Sequence, residues 1–267
     1  MITHYHTLVY YAFWAALALI LAYIFANYTY DVQGGVLVLL AICPIGFFLI
    51  RRMAKAEDGG WFLVILVVSF ILKLAFSQLR IFTNETFYGG QFDSGRYHSV
   101  GKQVAEDLWH LDFGSILPLL TFQGSWGTRF TEFYSGLVHA VIGPTLYGAF
   151  LAFSLLSFMG LYFYYRAFCI AFPSGNRRLY AALLFLMPRL LFWPNGLGKD
   201  ALMALFIGLA AYGAARAFSG EYARSMLPLA AGLFGAFTVR PHMVGILAIA
   251  MVAAFMLGAG ELSPGHP

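Results

Sequence analysis

The residues with chemistry to offer fall into three short clusters. The first is Gly89-Gly90-Gln91-Phe92-Asp93-Ser94-Gly95-Arg96-Tyr97-His98. A carboxylate followed by an arginine, a tyrosine and a histidine can take a proton from a hydroxyl nucleophile and hold a polar ligand beside it. Asp93 also stands where it can cap a following helix, and the two roles are compatible only if the cap leaves one carboxylate oxygen free. The second cluster is Pro188-Arg189-Leu190-Leu191-Phe192-Trp193-Pro194-Asn195-Gly196-Leu197-Gly198-Lys199-Asp200. Its prolines and glycines imply broken helix geometry, and Lys199-Asp200 open the next apolar stretch. A lysine at a helix N-terminus, beside free N–H groups, suits an anion, and phosphate is the natural one. The competing reading is a Lys–Asp pair anchored at a membrane interface with Trp193 in an aromatic belt. Arg240-Pro241-His242 is the third cluster, where Arg240 is either a second phosphate cation or a snorkelling side chain. Arg189 lies inside apolar text and must face protein, water or an acidic partner, with Asp93, Asp200 and a lipid phosphate all open to it.

What must position these clusters is set by composition. Of 267 residues, 61% are apolar, 18% aromatic and only 10% charged. A soluble domain carries roughly 25% charged residues, so this chain cannot cover an aqueous surface. At ~20 residues per crossing, eight spans use about 160 of the 267 residues and leave about 107 for loops and ends. No sizeable soluble domain fits in that remainder. Charge-free runs place spans at 7–27, 32–50, 61–79, within 133–165, and at 179–197, 198–217, 223–239 and 241–260, because a mid-bilayer charge costs at least ~2.5 kcal/mol. Gly143-Pro144 divides a short helix from the fourth crossing.

This gives an all-α polytopic membrane protein of about eight transmembrane helices. Its units are a three-span region at 1–79, a long loop at 80–132, helices at 133–260 and a tail at 261–267. In the loop, Tyr97, Val100, Val104, Leu108 and Leu111 recur at helical spacing and predict an amphipathic helix at the membrane surface. Arg51, Arg52, Lys55, Arg166, Arg177, Arg178, Arg216 and Arg224 share one side, which the positive-inside rule makes cytoplasmic, along with both termini. The three polar clusters then share the outer face. The net charge of +4 is thereby spent on orientation, and no nucleic-acid role is indicated.

No P-loop, dinucleotide fingerprint, zinc motif or nucleophile elbow is present, so catalysis driven by soluble nucleotides has no support. Cys43 and Cys169 lie in apolar text without ligand spacing. The remaining histidines, His4, His6, His110, His139 and His266, are read as interfacial or packing residues, and no metal site is expected. The spans show no pair of matching broken-helix halves, which weakens a secondary transporter. Asn27-Tyr28-Thr29 and Asn84-Glu85-Thr86 match the N-glycosylation pattern.

Phe92-Asp93-Ser94-Gly95-Arg96-Tyr97 in a long outer loop is followed by the loop's surface helix. Gly143-Pro144-Thr145 then opens a long span, and Phe192-Trp193-Pro194-Asn195-Gly196-Leu197-Gly198-Lys199-Asp200 closes the set. Over about residues 80–245 this pattern resembles the GT-C superfamily of membrane glycosyltransferases, which includes protein O-mannosyltransferases and many bacterial polyprenyl-phosphate-sugar enzymes. The resemblance implies transfer of a sugar from a polyprenyl-phosphate-linked donor to an acceptor hydroxyl on a glycan, lipid or protein, at the outer face of a bacterial plasma membrane. Asp93 matches the family's acidic residue in the first outer loop, the catalytic base. Lys199, with Arg240 or Arg189, would bind the donor phosphate, and Arg96, Tyr97, His98, Asp200 and His242 would contact sugar or acceptor. No cofactor is implied, a divalent cation is left open, and a membrane-protein partner is compatible.

Two departures stand out. Three spans precede the loop where the family usually has one, and the sequence ends after about eight spans, as a compact relative or a piece of a longer chain would. Two further readings remain open: an O-antigen or exopolysaccharide polymerase resting on Arg240 and His242, and a non-catalytic subunit or transporter.

Overall fold

The computed structural model describes residues 2–89 and 92–259, and among them the chain is helical throughout, without strands. The helices are α1 (Ile2–Asn27), α2 (Tyr30–Ala54), α3 (Trp61–Tyr88), α4 (Asp93–Trp109), α5 (Trp126–Ile142), α6 (Leu146–Ala171), α7 (Arg177–Leu186), α8 (Pro188–Phe192), α9 (Lys199–Phe218), α10 (Tyr222–Val239) and α11 (Pro241–Ala259). Five are long and apolar enough to cross a membrane: α1 from Val9, α2, α3, α6 and α9. The protein is therefore an integral membrane protein. The tail at 261–267 with His266, and Gly90 and Gln91, lie outside the described residues, as do the side chains of His4 and His6.

One expected crossing takes a different form. The stretch 179–197 is not a single helix but the ten-residue α7, a break at Met187, the five-residue α8 and a turn. Ten residues rise only about 15 Å, half a hydrocarbon core. The break follows from Pro188, which opens α8 where a missing N–H does no harm and forces Met187 before it to extended backbone, at φ −64° and ψ 123°. Apolar text alone did not reveal this, because a straight span and two short buried helices have the same composition.

The 133–165 run also resolves into two helices, α5 and α6. Gly143 adopts φ +85°, a left-handed conformation that favours glycine, and an added Cβ would lie 2.7 Å from the Tyr30 hydroxyl. Thr145 then caps α6, accepting from the Gly148 N–H at 3.2 Å while its own hydroxyl donates to the Asp31 carbonyl at 2.7 Å. The Asp31 carboxylate accepts from the Leu146 N–H at 2.9 Å, so the starts of α2 and α6 are tied together.

Two buried clusters hold the bundle. Phe62 on α3, Phe158 and Tyr165 on α6 and Phe185 on α7 form one, and Ile81, Tyr97, Phe150, Phe153, Leu202 and Ala236 belong to the other. Within lipid no hydrophobic drive brings helices together, so close van der Waals packing must do it. On α9, a Cβ added at Gly208 would meet the Gly160 carbonyl oxygen of α6 at 2.4 Å. α4 approaches α5 in the same way: an added Cβ on Gly101 would meet Ser135, and one on Gly136 would meet Val104. The apolar face of α4, with Tyr97 and Val104 buried, is thus covered by protein rather than laid against lipid alone.

Candidate functional site

Between the start of α4, the end of α3 and the turn into α9 lies a polar cavity of about 190 Å³. Asp93, Ser94 and Tyr97 line it from α4, Arg80 and Asn84 from α3, and Gly196–Asp200 and Arg240 from the other side. Residues more than a hundred positions apart in sequence meet there, and the cavity carries three cations and two carboxylates.

Asp93 is not the cap of α4. It is the helix's first residue, Phe92 holds the cap position with no side-chain bond, and the Gly95 N–H turns back to the Phe92 carbonyl at 3.1 Å. The Asp93 carboxylate makes no hydrogen bond or salt bridge among the described residues, so both oxygens are free for a ligand. The capping role is therefore replaced, and the condition that one oxygen be left over is more than met.

Across the cavity Lys199 opens α9 and donates to Thr128 Oγ1 of α5 at 2.9 Å. Its other donors have no hydrogen-bond partner among the described residues, and it feels the charges of Asp93, Arg240, Glu132 and Arg96. Asp200 pairs with Arg240 at 2.8 Å, joining the first turn of α9 to the start of α11. The Tyr97 hydroxyl, on the same cavity, is pushed up to about 12 by burial first and by the nearby Asp93 charge second. Tyr97 thus stays protonated at neutral pH.

The turn that carries Lys199 is pinned from α3. The fully buried Lys73 donates to Asn195 Oδ1 at 2.8 Å, Ser157 Oγ at 2.9 Å and the Leu190 carbonyl at 3.3 Å. The Asn195 amide donates back to the Lys73 carbonyl at 2.7 Å, and Ser154 of α6 donates to Asn195 Oδ1 at 3.0 Å. Two turns along α3, Arg80 donates to the Trp193 carbonyl and lies over its ring. A break in helical structure at membrane depth is tolerated only when its polar groups are satisfied by protein in this way.

The remaining expected residues go elsewhere. Arg96 turns from the cavity to the buried Glu132, with Nε donating to Oε1 at 2.7 Å. His98 meets His139, ring nitrogens 3.1 Å apart, and the other His139 nitrogen lies 3.2 Å from the Gly143 carbonyl. Burial, then His139 and Lys102, push His98 down to about 4, against the opposing charge of Asp31. His139 is lowered too, chiefly by burial. Arg189 lines a neighbouring crevice rather than the polar cavity, and His242 is exposed and lines neither.

Sequence reading missed Arg80, Asn84, Thr128, Glu132 and the Lys73–Asn195 contact. The available signal was the spacing of Lys73, Ser77 and Arg80, three polar residues on one face of α3, which continues well past residue 79. Among the described residues no group of three or more His, Cys, Asp or Glu is placed to hold a metal ion. Compared with family models, curated proteins and solved structures, the chain matches none.

Proposed function

We propose that the protein is a membrane glycosyltransferase that moves a sugar from a polyprenyl-phosphate-linked donor to an acceptor hydroxyl, working in the cavity between α4 and the start of α9. The observation that carries this reading is the pairing of an unengaged carboxylate, Asp93, with Lys199, Arg80 and Arg240 across one small polar space at the end of membrane helices. Each group has a task in a direct displacement at an anomeric carbon. Asp93 takes the proton as the acceptor oxygen forms its bond to that carbon. The bond from the carbon to the phosphate oxygen breaks, and the departing phosphate's charge is met by Lys199 and the two arginines. A phosphate leaves without being protonated, so a second carboxylic acid is not required.

The resemblance to the GT-C superfamily supports the same assignment, since its matching acidic position is Asp93. In full this reading has about eight spans, with α7 and α8 together replacing one straight crossing, the site on the outer face of a bacterial plasma membrane and both termini in the cytoplasm. The excess of Lys and Arg in the loops opposite the cavity supports the orientation.

The test is transfer by purified protein from polyprenyl-phosphate sugars. Asp93→Asn should lower the rate by about 10²–10⁴, the range for losing a general base, with the melting transition unchanged. Retained transfer would remove Asp93 as the base. A mild Asp93→Asn with a severe Arg240→Ala, read in product chain length, would favour a polymerase instead.

A further inference from the structure

The polar cavity has an apolar neighbour. A crevice of about 470 Å³ runs among α6, α7, α9 and α11, walled by Leu161, Leu184, Met203, Ile207 and Met243. Arg189, Trp193, Asp200 and Arg240 also line it. Asp200 and Arg240 line both spaces, so their ion pair is the wall between them. From Asp200 to Ile207 the crevice descends α9 by about 10 Å, into the length of a membrane-spanning helix.

Arg189 is the second, independent observation. It is exposed and lines this crevice, and its guanidinium has no hydrogen bond, ion pair or ring contact among the described residues. A cation within apolar surroundings ordinarily finds an acidic partner or backbone carbonyls. Here the neighbouring carboxylate, Asp200, is already held by Arg240.

We propose that this crevice takes the hydrocarbon chain of a single-chain lipid phosphate, with Arg189 adding to Lys199, Arg80 and Arg240 as a cation for the phosphate where crevice and cavity meet. The inference rests on the proposed function and specifies where its donor lies. The lipid's phosphate bridges the shared wall, its chain descends between α7 and α9, and its sugar projects toward Asp93. Charge complementarity supports this occupant, because the crevice carries two cations, Arg189 and Arg240, against the single carboxylate of Asp200, and most of its remaining lining is apolar. A second crevice, about 360 Å³ among α2, α3 and α6 and lined by Val32, Val36, Leu39, Leu74 and Leu151, offers apolar walls but no cation, and it shares no residue with the polar cavity.

The experiment compares binding of a long-chain polyprenyl phosphate with binding of geranyl phosphate by the purified full chain in detergent. Wild type should prefer the long chain by about tenfold or more, since each buried methylene contributes about 0.8 kcal/mol. Ile207→Trp on α9 and Met243→Trp on α11 fill the crevice from two sides and should each bring the preference to within about twofold. Geranyl phosphate binding reports that each variant is folded, and a ratio is insensitive to partial loss of protein. Arg189→Gln should weaken both ligands together, and Val36→Trp in the second crevice should leave the preference as in wild type. Loss of preference in Val36→Trp with its retention in Ile207→Trp and Met243→Trp would overturn the inference and move the chain to α2, α3 and α6. Equal binding of both lipids by wild type would also overturn it, while saturable geranyl phosphate binding that Lys199→Ala weakens about 10- to 100-fold would leave the proposed function standing.

Discussion

Two polar centres lie a few residues apart on the same turn, and they use their groups in opposite ways. At the closed centre, all three donors of the Lys73 amine are taken by Ser157, Asn195 and Leu190, and both Lys73 and Asn195 have no exposed surface. In the open centre, among the described residues, Asp93 bonds nothing and Lys199 has one partner, and both line one cavity. A polar group that spends every bond on protein holds helices together. One that keeps bonds in reserve at a cavity wall is equipped for a ligand.

This contrast is open to direct attack, beginning on the open side, where Asp93→Asn carries the largest expected loss. Next is Lys199→Ala, which should lower affinity for the lipid-phosphate donor about 10- to 100-fold, as for one charge-assisted phosphate contact, and change acceptor affinity much less. Titrations of each substrate against the variant decide it, and unchanged donor affinity would remove Lys199 from the phosphate site. On the closed side, Lys73→Met should act on stability instead. It strips Ser157 and Leu190 of their donor and should cost about 1–3 kcal/mol, seen as a lower melting temperature in detergent. A higher melting temperature would show that the buried amine is kept for something other than holding the turn.

A further test concerns pH. His98 is lowered to about 4 when folded, whereas an exposed histidine titrates near 6.5. Between those values the unfolded chain binds a proton that the folded chain refuses, so stability should fall as pH drops from about 6.5 to about 4 and level off below. His98→Gln should flatten that slope in melting curves recorded across the range. His139, Lys102 and Asp31 face the same ring and shape how steep the slope is.

Much of the open centre was legible in the sequence, because a charged residue in apolar text is conspicuous. Asp93, Tyr97, Lys199, Asp200 and Arg240 stood out individually, and the helices gather all five around one cavity. The closed centre was not legible. Lys73 falls inside the span expected at 61–79 and Asn195 among the prolines and glycines of the second cluster, and nothing local says that positions 122 apart will bond. Arg80 was read as the start of a loop because hydropathy fades at residue 79, yet backbone hydrogen bonding continues the helix to Tyr88. His139 was counted as packing and is half of a histidine pair, a relation that depends on α4 and α5 approaching at Gly101 and Gly136.

The length of α3 sets one more property of the molecule. Its 28 residues rise about 42 Å, some 12 Å more than a typical hydrocarbon core is thick. Lys73 lies about 18 Å and Arg80 about 28 Å along from Trp61, so the two clamps grip the Trp193–Asn195 turn about 10 Å apart along α3. The helix is therefore a gauge: it fixes how far along a membrane-spanning length the cavity sits. A thicker or thinner bilayer, by changing the tilt of α3, would raise or lower the cavity relative to the headgroups. Membrane thickness thereby becomes a variable that reaches the site without touching any residue in it.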